Sequence, residues 1–129
     1  MQSLRGQKYV LLTTYRKSGK PVSTPVWFVH DPENDEKIYV WTARDAGKVK
    51  RVRAGSRATV VACDALGKKT YGEPVSGTPR LLDDDATERV RKLLMKKYGL
   101  FGAVTVYGSI LRGGRRRTIG IEIVADPAS

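Results

Sequence analysis

Apolar, strand-forming runs separated by polar turns divide the first part of the chain into short strands. The runs Lys8–Tyr15 and Pro21–His30 are rich in strand-forming residues, and the turn Lys17–Lys20 between them contains Gly19. This pattern predicts a hairpin. Pro25 lies inside the second run and cannot donate a ladder hydrogen bond. We therefore expect this position at a sheet edge, at a bulge or beside something other than a strand.

A third strand and a short basic helix follow the polar loop 31–36. The strand Lys37–Trp41 is expected to stop at Thr42, and Asp45 is expected to cap a helix that runs to about Ala54. One side of this helix is apolar (Ala46, Val49, Val52) and the other is basic (Lys48, Lys50, Arg51, Arg53). A helix N-terminus with nearby cations suits a phosphate. A solvated basic face on a surface helix is the alternative, and this stretch alone leaves both open.

The second half of the chain predicts three further strands and one longer helix. The strands are Ser56–Cys63, Thr70–Leu82 and Arg115–Val124, and residues 100–111 are a mixed segment without assignment. The helix begins at Asp83 and ends at Gly99, with an apolar face of Ala86, Val90, Leu93, Leu94 and Tyr98. About six hairpin-linked strands with a late helix favour a mainly β fold. We expect one domain over residues 1–129, an antiparallel barrel or sandwich with added helices.

Composition narrows the class of partner. The net charge of +11 and the pI near 10.0 favour an anionic partner: a nucleic acid, a phosphorylated or polycarboxylate small molecule, or an acidic membrane surface. Aromatic residues are not interleaved with the basic run, which disfavours nucleic acid. Cys63 is the one cysteine, so no internal disulfide is expected. Without a signal peptide or a membrane-spanning run, we expect a cytoplasmic protein with no membrane partner.

Side chains suited to catalysis are few. His30 is the one histidine, and no cysteine–histidine cluster has metal-ligand spacing, so neither a zinc site nor a Ser-His-Asp triad is favoured. No dinucleotide-binding or Walker motif occurs. The aspartates 83–85 are explained more simply by a helix N-terminus than by a metal. This composition is typical of a protein whose cofactor supplies the reactive chemistry.

Six short motifs follow one another in a characteristic order along the chain. They are Tyr9–Thr14, Gly19–Pro21, Thr24–Phe28, Tyr39–Thr42, Gly47–Arg51 and Gly77–Leu82. Together they resemble the split-barrel flavin and deazaflavin proteins related to pyridoxamine 5′-phosphate oxidase. The resemblance is strongest to the small reductases of this class that use coenzyme F420, and it extends from about Lys8 to Val124.

This resemblance implies a homodimer of split six-stranded barrels, similar to FMN-binding proteins, with two cofactors at the subunit interface. The ring system would lie along Thr24, Pro25, Val26 and Trp27, and the phosphate would be held by Trp41, Thr42, Lys48 and Arg51. The family's oxidases carry an Arg-Lys pair where this chain has Gly47–Lys48. One phosphate cation is therefore missing unless Lys50 or Arg51 replaces it. This departure weakens the prediction of FMN and leaves coenzyme F420 open.

The implied activity is hydride transfer from reduced F420 to a conjugated or quinone-like small molecule. The phosphate and oligoglutamate tail of F420 suit the basic side chains Lys48, Lys50, Arg51, Arg53 and the run 115–117. Two alternatives stay open: an FMN-binding oxidoreductase of the same fold, and a non-enzymatic F420- or anion-binding module. No catalytic residue is assigned, and solvent or a hydroxyl such as that of Tyr107 is the candidate proton source.

Overall fold

Seven antiparallel strands form one sheet in the computed structural model, which describes residues 1–114 and 117–127. A 3-10 turn (Gln2–Leu4) precedes β1 (Tyr9–Tyr15), β2 (Pro21–Val26), β3 (Phe28–Asp31), β4 (Asn34–Ala43), α1 (Gly47–Arg53), β5 (Ala58–Cys63), β6 (Thr70–Leu81), α2 (Asp84–Gly113) and β7 (Thr118–Ala125). The strand order is β2-β1-β5-β6-β7-β4-β3. The predicted mainly β class with one short and one longer helix is confirmed.

Trp27 separates the two edges of this sheet. β2 ends at Val26 and pairs with β1, whereas β3 begins at Phe28 and pairs with β4. Because one residue joins strands at opposite ends of the strand order, the sheet must curl until the end of β2 and the start of β3 come together. The result is a barrel that is split at Trp27. The prediction of a single strand over Pro21–His30 is therefore wrong, and this division gives seven strands instead of six.

The two faces of the sheet bury different apolar clusters. Ile38 and Val40 of β4 point into the main core inside the barrel, while Tyr39 and Trp41 pack on the outer face beneath α2. This alternation follows from the two-residue period of a strand. β7 is covered on both faces: its isoleucines 119, 121 and 123 lie in the main core, and its Gly120 amide donates to Thr87 Oγ1 of α2 (3.0 Å).

The longer helix begins as predicted but does not end at Gly99. Asp83 caps it, and the Ala86 amide donates to the Asp83 carboxylate (2.8 Å). Gly99 has φ 61° and ψ −138° and kinks the helix, which resumes and continues to Gly113. A glycine takes this backbone conformation without the steric penalty that a Cβ would bring. The unassigned segment 100–111 is therefore helical.

The short helix α1 lacks the predicted cap. Its N-cap residue is Ala46, which makes no side-chain capping bond, so the assignment of Asp45 as the cap is wrong. The helix has seven residues and buries Val49 and Val52. Because it is short and uncapped, its dipole contributes little, and any affinity for anions must come mainly from its cationic side chains.

Other element boundaries differ modestly from the predictions. The loop predicted at 31–36 is a tight turn between Asp31 and Asn34, and β4 continues to Ala43 instead of stopping at Thr42. The predicted start of the last strand, residues 115 and 116, lies outside the described residues. Among the described helices, none combines the length and the apolar character needed to cross a bilayer.

Candidate functional site

The residues predicted to contact a cofactor ring lie on the edge strand β2. Thr24, Pro25 and Val26 pair with Leu12, Leu11 and Val10 of β1, and no other strand of the described chain pairs with β2. The expectation that Pro25 lies at an edge is confirmed, because it is on an outermost strand. An edge strand leaves backbone groups available to a ligand along its outer side.

Trp27 lies at the split and packs against α2. Its ring stacks on that of Tyr98, with centroids 4.2 Å apart and an interplanar angle of 9°, and the Phe101 ring lies 6.2 Å away. The Tyr98 hydroxyl accepts from the Phe28 amide (3.1 Å) and donates to the Lys8 carbonyl (2.7 Å). Burial raises the pKa of Tyr98 to about 12, so its hydroxyl stays protonated at neutral pH. These bonds tie the start of β3 and the residue before β1 to α2.

An aromatic cleft opens beside this stack. It has a volume of about 600 Å³ and is lined by residues 6–9, Trp27, Lys97, Tyr98 and Phe101. The Lys97 ammonium lies 3.5 Å from the centroid of the Phe28 ring and donates to the Phe28 carbonyl (2.8 Å). Burial, and to a lesser extent the charge of Arg5, lower the pKa of Lys97 to about 8. Lys97 therefore places an exchangeable proton at the cleft near neutral pH.

Trp41 and Thr42 lie near the end of β4, and Trp41 packs in the same outer-face cluster as Trp27. They line a cavity of about 580 Å³ between β4 and the second half of α2, together with Arg112 and Arg117. The indole Nε1 of Trp41 is buried and has no hydrogen-bond partner among the residues that the structure describes. A buried donor without a partner is costly, so this atom suits a ligand acceptor.

Lys50 and Arg51 line a different cavity, of about 380 Å³, and do not share one with Trp41. Two further cations, Arg16 and Lys17 of the β1–β2 turn, line the same cavity, and no acidic residue of the described chain does. We call these four residues the basic cluster. Arg16 and Lys17 were missed by the sequence analysis, because nothing in the local pattern places this turn beside α1.

The position of Arg51 is set by its neighbours. Its Nε donates to the buried Thr14 hydroxyl (2.6 Å), and a Cβ at Gly47 would lie 2.8 Å from its Nη1. The absence of a side chain at residue 47 therefore leaves room for the guanidinium at the start of α1. This is the position where the resemblance indicated a missing cation.

Lys48 is half-buried beside Arg51. Burial, followed by the charge of Arg51, lowers the pKa of Lys48. Within residues 1–114 and 117–127, no carboxylate forms an ion pair with Lys48 or with the basic cluster. Neighbouring cations that lack a counter-ion repel each other, and a bound anion would relieve this cost.

Other predicted residues lie apart from these groups. Arg53 is exposed and does not line the cavity of the basic cluster. Of the run 115–117, Arg117 lines the cavity of Trp41, and the other two arginines lie outside the described residues. Tyr107 is 55% exposed on the outer side of α2 and lines neither that cavity nor the aromatic cleft.

Comparison with solved structures places the fold. An F420 reductase aligns at 16% identity and a TM-score of 0.64, covering 98% of this chain and 92% of that chain. The General Stress Protein 26 of Bacillus anthracis aligns at 22% identity and 0.62 (97% and 84% covered), and the heme storage protein of Vibrio cholerae at 13% and 0.64 (98% and 87% covered). At these identities the likeness shows the fold alone.

Sequence comparison identifies the family. A search of curated proteins finds no match. A family model described as pyridoxamine 5′-phosphate oxidase matches residues 1–116, nearly the whole chain. The chain therefore belongs to the pyridoxamine 5′-phosphate oxidase family, and its split barrel is the fold of that family.

Proposed function

We propose that this protein is an oxidoreductase that uses reduced coenzyme F420 to reduce a conjugated or quinone-like small molecule. The observation that carries this proposal is the basic cluster, with Lys48 beside it and no carboxylate of the described residues lining its cavity. F420 carries a phosphate and an oligoglutamate tail, so it presents several anionic groups in sequence, whereas FMN presents one phosphate. The F420 reductase with the same fold lends further support.

In this proposal the ring, the phosphate and the tail of the coenzyme each contact a different group of residues. The ring lies along the open edge of β2 at Thr24, Pro25 and Val26, with Trp27 at its end. Lys48 and Arg51 hold the phosphate, with Arg51 supplying the cation that Gly47 does not. Arg16, Lys17 and Lys50 hold carboxylates of the tail. Trp41 Nε1, in the separate cavity at the end of β4, offers a further donor to the coenzyme.

The protein's own residues bind and orient the coenzyme and the substrate, and they supply the proton. When bound, reduced F420 supplies a hydride from C5 of its ring. A planar substrate fits the aromatic cleft beside Trp27, where Tyr98 and Phe101 give it apolar contacts. Lys97 Nζ holds a proton at this cleft and is better placed than Tyr107 to donate it to the reduced substrate.

Direct titration tests the proposal. Purified protein is titrated with F420 bearing tails of different length and with FMN, and binding is followed by fluorescence. We expect F420 to bind more tightly than FMN, with affinity that rises with tail length and falls with salt, because exposed charges are screened beyond about 8 Å at physiological ionic strength. If the isolated protein is yellow with bound FMN, the alternative of an FMN-binding oxidoreductase is supported. Tight F420 binding without reduction of any acceptor supports a binding module.

The subunit arrangement is a separate prediction. If the cofactor lies between two subunits, the protein sediments as a homodimer before any ligand is added. Sedimentation velocity over a range of protein concentrations measures this directly. A stable monomer that still binds F420 tightly contradicts the interface model.

Lys97 predicts a pH dependence of turnover. Below pH about 8 the amine is protonated and can donate, and above that value it is neutral. We expect kcat with a quinone-like acceptor to fall as pH rises through about 8. Lys97→Arg keeps its charge at high pH and should move this inflection, while Lys97→Gln should lower kcat and leave F420 affinity nearly unchanged. An unaltered pH profile in both variants assigns the proton to solvent.

A further inference from the structure

The second half of α2 exposes apolar side chains to solvent. Of the seven large hydrophobic residues that are exposed in the described chain, five lie here: Leu100, Phe101, Val104, Tyr107 and Leu111, at 55 to 88% exposure. We call these five residues the outer stripe. At about 100° per residue they fall within an arc of about 120°. Gly102 and Val106 are buried on the opposite side, which fixes the direction of the stripe.

The charged residues of the segment that carries the outer stripe have one sign. No aspartate or glutamate occurs between Glu88 and Glu122, whereas nine lysines and arginines do. Lys96 lies before the kink and Arg112 follows the last residue of the stripe, and both are exposed. An exposed apolar arc within a uniformly cationic segment is typical of a helix that lies in the interface of an anionic membrane.

We propose that the outer stripe docks onto an anionic lipid bilayer, with α2 lying along the surface. Leu100, Val104 and Leu111 enter the headgroup–acyl boundary, and the amphipathic ring of Tyr107 lies at the level where such rings are favoured. Lys96 and Arg112 remain at the level of the lipid phosphates. The expectation of no membrane partner rested on the absence of a spanning run, and this mode of binding requires none.

Charge favours the lipid surface over a second copy of the chain. If two outer stripes packed in antiparallel fashion, Lys96 of one copy would approach Arg112 of the other. Parallel packing would place like residues together. In both arrangements cations meet cations, and the segment between Glu88 and Glu122 contains no carboxylate to offset them. An anionic bilayer offers the opposite charge and an apolar interior at once.

Vesicle flotation tests this inference without any coenzyme. The full chain is mixed with vesicles of phosphatidylcholine and phosphatidylglycerol in equal parts, or of phosphatidylcholine alone. We expect flotation with the anionic vesicles, little with the neutral ones, and weaker binding at high salt. The double variant Leu100→Ser/Leu111→Ser should lower the partition coefficient by about tenfold or more. Lys96→Gln/Arg112→Gln should lower it by about tenfold.

Leu66→Ser is the matched control. Leu66 is 72% exposed on the loop between β5 and β6, so its replacement should leave flotation unchanged. The inference is overturned if the wild-type chain does not float with anionic vesicles, or if the leucine double variant floats equally well. It is also overturned if the double variant turns a dimer into a monomer while the wild type ignores vesicles, because the stripe is then a protein interface.

Discussion

Lys48→Ala is expected to weaken the binding of coenzyme F420 by about ten- to a hundredfold. The lysine is half-buried beside Arg51 and pairs with no carboxylate of the described chain, and burial lowers its pKa. A ligand phosphate would therefore satisfy a charge that the fold leaves uncompensated. Isothermal titration of both proteins with the same coenzyme measures the difference.

Lys68→Ala is the control for this experiment. Lys68 is exposed on the loop between β5 and β6. Its replacement by alanine lowers the net charge by one unit, as Lys48→Ala does. We expect the Kd of this variant for F420 to differ from that of the unmodified protein by less than about threefold, because exposed charges contribute little individually. Equal losses in the two variants contradict a phosphate site at α1 and indicate a diffuse attraction to the whole basic surface.

Ile121→Ala is expected to reduce the free energy of unfolding by about 2–5 kcal/mol. Ile121 is fully buried at the centre of β7, which lies in the middle of the sheet between β6 and β4. The substitution removes three carbons from the main core, and the surrounding strands cannot collapse freely into the space. Chemical denaturation measures the loss. Leu66→Ala, at an exposed aliphatic position, should change stability by no more than about 0.5 kcal/mol.

Features that depend on neighbouring residues were predictable from the sequence. Runs of strand-forming residues located β1, β4 and β5, and alternation located most of β7. Pro25 indicated an edge because proline cannot donate a ladder hydrogen bond, and three aspartates indicated the start of α2 because carboxylates favour a helix N-terminus. Each of these signals acts within a few residues.

Features that depend on distant contacts were not predictable. The residues next to Trp27 favour a strand, so nothing local indicates the break there. The Phe28 amide donates to the Tyr98 hydroxyl, which belongs to the distant helix α2. A glycine after an apolar helical face is equally compatible with the end of a helix and with a kink in it. At Gly99 the helix kinks and continues, and Gly102 and Val106 beyond the kink are buried. The basic cluster likewise unites the β1–β2 turn with a helix that comes much later in the chain.

The place of β7 between β6 and β4 has a consequence for the folding of the chain during synthesis. Without β7 the strand order separates into two half-sheets, β2-β1-β5-β6 and β4-β3. β7 pairs with residues 37–43 of β4, so this contact closes a very long loop, which slows barrel formation. Hairpins such as β1–β2 and β3–β4 can form while the chain emerges from the ribosome. The two half-sheets stay unjoined, with their apolar inner faces exposed to chaperones, until β7 has been synthesised.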